Sequence, residues 1–174
     1  MLLFNPPRGL ADAAPDIEQL LNAADEQRSA SPERYAALLN QLKLAAGEMS
    51  DAQRSYLNYL LAYQAAYSGN HQQSEMMFKA LMAPSIPILL RFRATFTLAN
   101  VQIVRRQFVE AFSNLSQAIL LSADVDDMKW RNQGLLSGAA IYSEAGLYQE
   151  SIDFIALIEL SLEPSSIMIS SILL

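Results

Sequence analysis

The sequence predicts an all-α fold, a right-handed superhelix of antiparallel helix hairpins (an α-solenoid). Three observations predict it. Helix start and stop signals recur along the chain, and no alternating run is bounded by the turn pairs that mark hairpin strands. A short pattern of residue types occurs three times at nearly constant spacing. Over 174 residues, 52% are hydrophobic and the formal charge is −6, a composition that builds a core and does not suit a disordered chain.

The elements follow in order. Ser31-Pro32-Glu33 opens a helix, with Ser31 as N-cap and Pro32 at the first helical position. It is predicted to run to about Ala46, where Gly47 stops it. Ser50 and Gln53 form a capping box for a helix that reaches Ser68 and ends at Gly69. A shorter helix is expected over His71–Met82. Pro84 and Pro87 mark a loop and the next start, followed by a long helix to Arg105 and another over Phe108–Leu121. Asp124, Asp126 and Asp127 place acids at the positive end of a helix that reaches about Gly146, and a last helix covers Tyr148–Leu160. In domain terms, 1–14 reads as a disordered N-terminal segment, 15–162 as a helical repeat domain and 163–174 as the start of a further, truncated helix.

The repeat is carried by Gly69–Ser74, Arg106–Ala111 and Gly146–Ser151, at spacings of 37 and 40 residues. Each has a turn position, a ring two residues on (His71, Phe108, Tyr148) and a small residue three after that (Ser74, Ala111, Ser151). Twelve residues before each small residue lies an alanine (Ala62, Ala99, Ala139), and four after it a bulky residue (Phe78, Leu115, Ile155). A small residue on each helix lets two axes approach closely, and the rings and bulky residues are expected to fill the gap to the next hairpin. One hairpin cannot bury its apolar face, so stacking follows. The pattern is that of a tetratricopeptide-type array with degenerate repeats, against an ordinary helical bundle with coincidental spacing.

Four stretches extend the likeness: Leu57–Tyr63 with Ala66–Gly69, Leu90–Ala94 with Leu98–Asn100, Arg106–Leu115, and Arg131 with Ala139–Tyr142 and Gly146–Tyr148. Over about Pro15 to Leu160 the chain resembles the tetratricopeptide-like sensor region that precedes GGDEF diguanylate cyclase domains in bacterial signalling proteins. The resemblance implies a periplasmic, non-catalytic regulatory module of cyclic-di-GMP signalling. The chain carries neither a GGDEF active-site loop nor an export signal, so the sensor part alone is expected, with the cytoplasm as the alternative compartment and a stand-alone adaptor for protein assembly as the alternative role.

Composition narrows the chemistry. There is no cysteine and a single histidine, His71, which excludes disulfides, thiolate sites and any metal site needing two imidazoles. The negative charge argues against phosphate-neutralising nucleic-acid binding, and no apolar run is long enough to span a membrane. Phosphate-binding glycine loops and nucleophile elbows are absent. No catalytic residue, metal or cofactor is expected. The acids at 124–127 read as helix capping, and His71 as a packed or surface ring.

The candidate site is a groove. Tyr56, Tyr59, Tyr63 and Tyr67 recur at spacings of 3, 4 and 4 on one helical face. Leu57, Leu60, Leu61, Ala62 and Ala65 already supply a core face, so the tyrosines either form a half-wet binding surface or pack on neighbouring helices with hydroxyls at the rim. In tetratricopeptide arrays the first helix of each pair lines the concave face. The matching positions are the four tyrosines, then Arg93, Phe96 and Asn100, then Gln133, Leu136 and Glu144. Arg93 is suited to a ligand carboxylate, or to an ion pair with an adjacent helix; Asn100 is suited to a peptide backbone. Arg91, Arg105 and Arg106 are expected to make one end of the long helix basic, or Arg105 and Arg106 to complement its negative end. Gly134 and Gly138 permit tight helix contact. The expected partner is a peptide, a protein or a small ligand in the groove, with a homodimer among the compatible assemblies, and with neither nucleic acid nor membrane insertion.

Overall fold

The computed structural model describes residues 16–162, with side chains through residue 156. The expected disordered segment 1–14 and the expected further helix 163–174 lie outside the described residues. Those residues are all-α: α1 (Ile17–Gln27), α2 (Pro32–Leu44), α3 (Asp51–Tyr67), α4 (His71–Ala80), α5 (Ile88–Val104), α6 (Phe108–Ser122), α7 (Met128–Glu144) and α8 (Tyr148–Leu162), with one 3₁₀ turn at Ala46–Glu48. No described helix is long and apolar enough to cross a membrane.

Local chemistry explains the starts. Asp16 caps α1 by accepting from the amides of Glu18 and Gln19. Ser31 caps α2 ahead of Pro32. At α3 the capping box is complete: Ser50 Oγ accepts from the Gln53 amide at 3.3 Å, and Gln53 Oε1 from the Ser50 amide at 2.9 Å. Asp127 caps α7 through the Trp130 amide, so the acidic run includes a structural cap. Gly47 is not the stop expected of it. Helix α2 ends at Leu44, and Gly47 lies inside the 3₁₀ turn.

The three repeat turns share one geometry. Gly69, Arg106 and Gly146 have φ of 81°, 60° and 79°. Behind them, the amides of Asn70, Gln107 and Leu147 donate to the carbonyls of Ala65, Gln102 and Tyr142, each at 2.9 Å. The amides of Gly69, Arg106 and Gly146 donate to Ala66, Ile103 and Ser143. This is the paired-bond helix terminus that a left-handed residue closes. Each turn leaves three residues between its helices, so α3/α4, α5/α6 and α7/α8 fold back as antiparallel pairs.

The small-residue positions do what their size suggests. Ala62, Ala99 and Ala139 are buried, as are Ser74, Ala111 and Ser151. Ser151 Oγ donates to the Ala139 carbonyl at 2.8 Å, so those two helices touch nearly backbone to backbone. Phe78 and Leu115 are fully buried. In the third unit Phe154, not Ile155, is the buried member; Ile155 is one position further round the helix and faces out. The ring positions do not fill the gap between pairs. Phe108 and Tyr148 are exposed and His71 is half-buried, because each opens its helix at the end of the shared face.

Helices pack most extensively within α1/α2, α3/α4, α5/α6 and α7/α8, and the odd-numbered helices touch in succession, α1 on α3, α3 on α5 and α5 on α7. Two hydrophobic clusters result, and α5 serves both. Leu90, Ala94, Leu98 and Val101 join α1–α4, while Phe92, Phe96, Ala99 and Ile103 join α6–α8. Spacings of three and four put these sets on two different faces, which explains why α5 is apolar nearly all round. Gly134 and Gly138 make the α5–α7 contact possible. A Cβ on Gly134 would lie 2.5 Å from Phe92 Cζ of α5, and one on Gly138 would lie 3.0 Å from Phe96 Cε1 of α5 and 2.8 Å from Phe154 Cε1 of α8.

Candidate functional site

The tyrosine stripe divides. Tyr59 and Tyr63 are buried, Tyr56 is half-buried and Tyr67 is 76% exposed. Tyr59 meets Phe78 edge-on with ring centroids 5.9 Å apart, and Tyr63 meets Tyr35 edge-on at 6.3 Å while stacking on Tyr67 at 4.4 Å. Tyr35 itself donates to the Leu60 carbonyl at 2.6 Å. Tyr59 and Tyr63 therefore follow the packing alternative and belong largely to the core. Helix α3 is flanked by α1, α4 and α5, so more than one of its faces is covered.

Arg93 takes the second of its two expected roles, the ion pair. It lies in the interior, where Nη2 donates to Asp25 Oδ1 at 2.6 Å and Nη1 to the Tyr56 hydroxyl at 3.3 Å. Its guanidinium sits 3.9 Å from the Trp130 ring centroid and 4.5 Å from that of Tyr59. Burial works to discharge it, but the Tyr59 phenol and the Asp25 carboxylate outweigh burial and hold it charged. The ion pair with a neighbouring helix, rather than a ligand carboxylate, accounts for its fork.

Around that pair a hydrogen-bond network links α1, α3 and α5, with the Trp130 ring of α7 over it. Asp25 of α1 also accepts from Arg28 Nη1 at 2.9 Å and from the Tyr56 hydroxyl at 3.0 Å. Arg28 Nη1 reaches the Tyr59 hydroxyl at 3.1 Å, and Tyr59 bonds Thr97 Oγ1 at 3.2 Å. Burial, opposed by the Arg93 charge and aided by the Asp25 charge, pushes the Tyr56 phenol up to about 12. Asp25, Arg28, Thr97 and Trp130 were not among the sequence candidates. The one available signal was Asp16 and the spacing behind it, which marks a helix start and so places Asp25 within a helix.

Five of the ten candidates, Tyr59, Tyr63, Tyr67, Asn100 and Glu144, meet at a cleft of about 540 Å³. Tyr59, Tyr63 and Tyr67 of α3, Thr97, Asn100, Val101 and Val104 of α5, and Ser137 and Glu144 of α7 line it, with Arg28 at the end of α1, Ala66, and His71 at the start of α4. A smaller pocket of about 60 Å³ shares Arg28, Tyr59, Thr97, Asn100 and Ser137 with it and adds Arg93, Phe96, Trp130 and Gln133. Phe96 is buried and Gln133 exposed. Tyr56 and Leu136 line neither pocket; Tyr56 is drawn into the Asp25 network, and Leu136 is exposed on α7. Arg105 is not part of the cleft. It bonds Glu75 at 2.9 Å, and Glu75 also holds Lys79, cations that keep its carboxyl below the usual range against the opposing effect of burial.

Compared with known proteins, the chain matches no family model, no curated protein and no solved structure.

Proposed function

We propose that the chain is a non-catalytic binding module, a right-handed tetratricopeptide-like superhelix whose cleft takes a peptide, a protein segment or a small ligand. The observation that carries this reading is the lining of the 540 Å³ cleft, which comes, His71 apart, from Arg28 and the odd-numbered helices α3, α5 and α7. That is the row the repeat register assigns to a concave face. The volume is of the size that small-ligand sites have. The recurring left-handed turns and the buried alanine–small residue pairs support the repeat. On the sequence resemblance, the module is the periplasmic sensor of a diguanylate cyclase, and occupancy changes the curvature of the array or its dimeric state.

The test is a peptide selection on the folded chain, followed by titration of Tyr67→Ala and Asn100→Ala. Both residues line the cleft without belonging to the core. Selected peptides are expected to lose about tenfold in affinity in each variant, with helicity by circular dichroism unchanged. Peptides that bind both variants as tightly as the parent overturn the cleft reading. An in-frame GGDEF domain past residue 174 supports the sensor role, and a stop codon there supports the adaptor.

A further inference from the structure

We infer that the cleft selects a small monoanion, a carboxylate carrying an apolar or aromatic body, with Arg28 holding the carboxylate. This inference rests on the binding reading above and names the ligand class.

Charge is the first argument. Arg28, which lines the cleft, shares the Asp25 carboxylate with Arg93, so this cluster of two guanidiniums and one carboxylate carries 2 − 1 = +1 before Glu144 at the rim is counted. Arg93 is committed to Asp25 and Tyr56, whereas Arg28 lines the cleft. Among the described residues the hydrogen bonds of Arg28 use Nη1 alone, so Nε and Nη2 remain for a ligand, and a guanidinium fork matches a carboxylate. Its plane is steadied by the Tyr63 and Trp130 rings, with centroids at 5.1 and 5.7 Å, which lowers the ordering cost of binding.

The rim supplies the second argument. Glu144 lines the same cleft and is exposed. With Glu144 counted the charges sum to zero, so the Arg28 fork can pair with one ligand carboxylate while the rim carboxylate disfavours a dianion such as a phosphomonoester. The third argument is apolar. Tyr67 and Val104 are large hydrophobic residues left mostly exposed, and both line this cleft, with Ala66 and Val101 beside them. A carboxylate without an apolar body leaves that wall uncovered.

The probes are 3-phenylpropionate, its neutral amide 3-phenylpropionamide, and phenyl phosphate, which carries close to two charges at neutral pH. The chain has one tryptophan, so the Trp130 indole gives a single reporter peak in a proton–nitrogen correlation spectrum. We expect saturable movement of that peak with 3-phenylpropionate, and binding about tenfold weaker for each of the other two probes. Arg28→Gln is expected to weaken 3-phenylpropionate about tenfold, and Glu144→Gln to improve phenyl phosphate selectively. Equal binding of acid and amide, or no saturable shift with the acid, overturns the inference. If Arg28→Gln does not fold, the exposed Glu144→Gln variant decides, since an unchanged preference between the two anions also overturns it. A protein that binds Tyr67- and Asn100-sensitive peptides but not 3-phenylpropionate loses this inference and keeps the cleft.

Discussion

Arg93 Nη2 and Asp25 Oδ1 lie 2.6 Å apart although 68 positions separate them in the chain, and each side chain is only 5% exposed. The pair joins α1 to α5 across α3, whose Tyr56 bridges both partners, and Trp130 of α7 covers the guanidinium. Every odd-numbered helix up to α7 therefore contributes to one buried polar cluster. Desolvation makes such a pair a weak source of net stability, but removing one partner strands the other.

The first prediction follows from that asymmetry. Asp25→Ala leaves two guanidiniums without their carboxylate and is expected to cost about 3–5 kcal/mol in urea unfolding. The double variant Asp25→Leu with Arg93→Met removes both charges and is expected to recover much of the loss. A double variant no more stable than Asp25→Ala would mean that the pair itself, not the stranded charge, sets the cost.

Tyr56 gives a pH signature. Its folded pKa, about 12, is raised from the ordinary 10.0. A raised pKa means that the folded state holds the proton more tightly, so this contribution is whole below pH 10 and is lost as pH rises toward 12. Alkaline unfolding is expected to steepen across that window, and Tyr56→Phe to flatten it. Identical alkaline profiles for the two proteins would count against the Tyr56 contribution.

Arg106 occupies the left-handed turn position that Gly69 and Gly146 hold in the other two units, with φ of 60°. A side chain there costs about 1 kcal/mol, and Arg106 is exposed. Arg106→Gly is expected to stabilise the fold by about 0.5–1 kcal/mol, read as a higher thermal midpoint. The same change at an exposed position inside a helix has the opposite sign.

Gly134→Ala and Gly138→Ala test the close approach of α7. Helix propensity alone favours alanine by about 1 kcal/mol. The new methyls would meet Phe92 and Phe154, both buried, so net destabilisation of about 1–3 kcal/mol is expected for each. Stabilisation in thermal unfolding would show that the rings yield.

The helices were legible because their signals are local. Ser31 with Pro32 and Ser50 with Gln53 cap the helices they precede, and Gly69 and Gly146 take the turns their freedom suits. Gly47 shows the limit, since a glycine also sits comfortably in a 3₁₀ turn. Helix α1 was not resolved from the sequence as a separate element, although Asp16 caps it, and with it went Asp25 and Arg28. The tyrosine spacing correctly placed four rings on one side of α3, yet spacing carries no information about how many neighbours cover that side.

The sequence by itself determined the all-α class, most helix starts, the turn positions and the alanine–small residue pairs, because capping, glycine geometry and side-chain size act within a few residues. The tertiary structure alone decided which candidates face the cleft. Arg93 went inward because α1 brings Asp25 to it, and Tyr59 is buried in the cleft wall beside Arg28, while Tyr67, Asn100 and Glu144 also line the cleft. Burial depends on which helices stack on which, and that is fixed by contacts between residues dozens of positions apart.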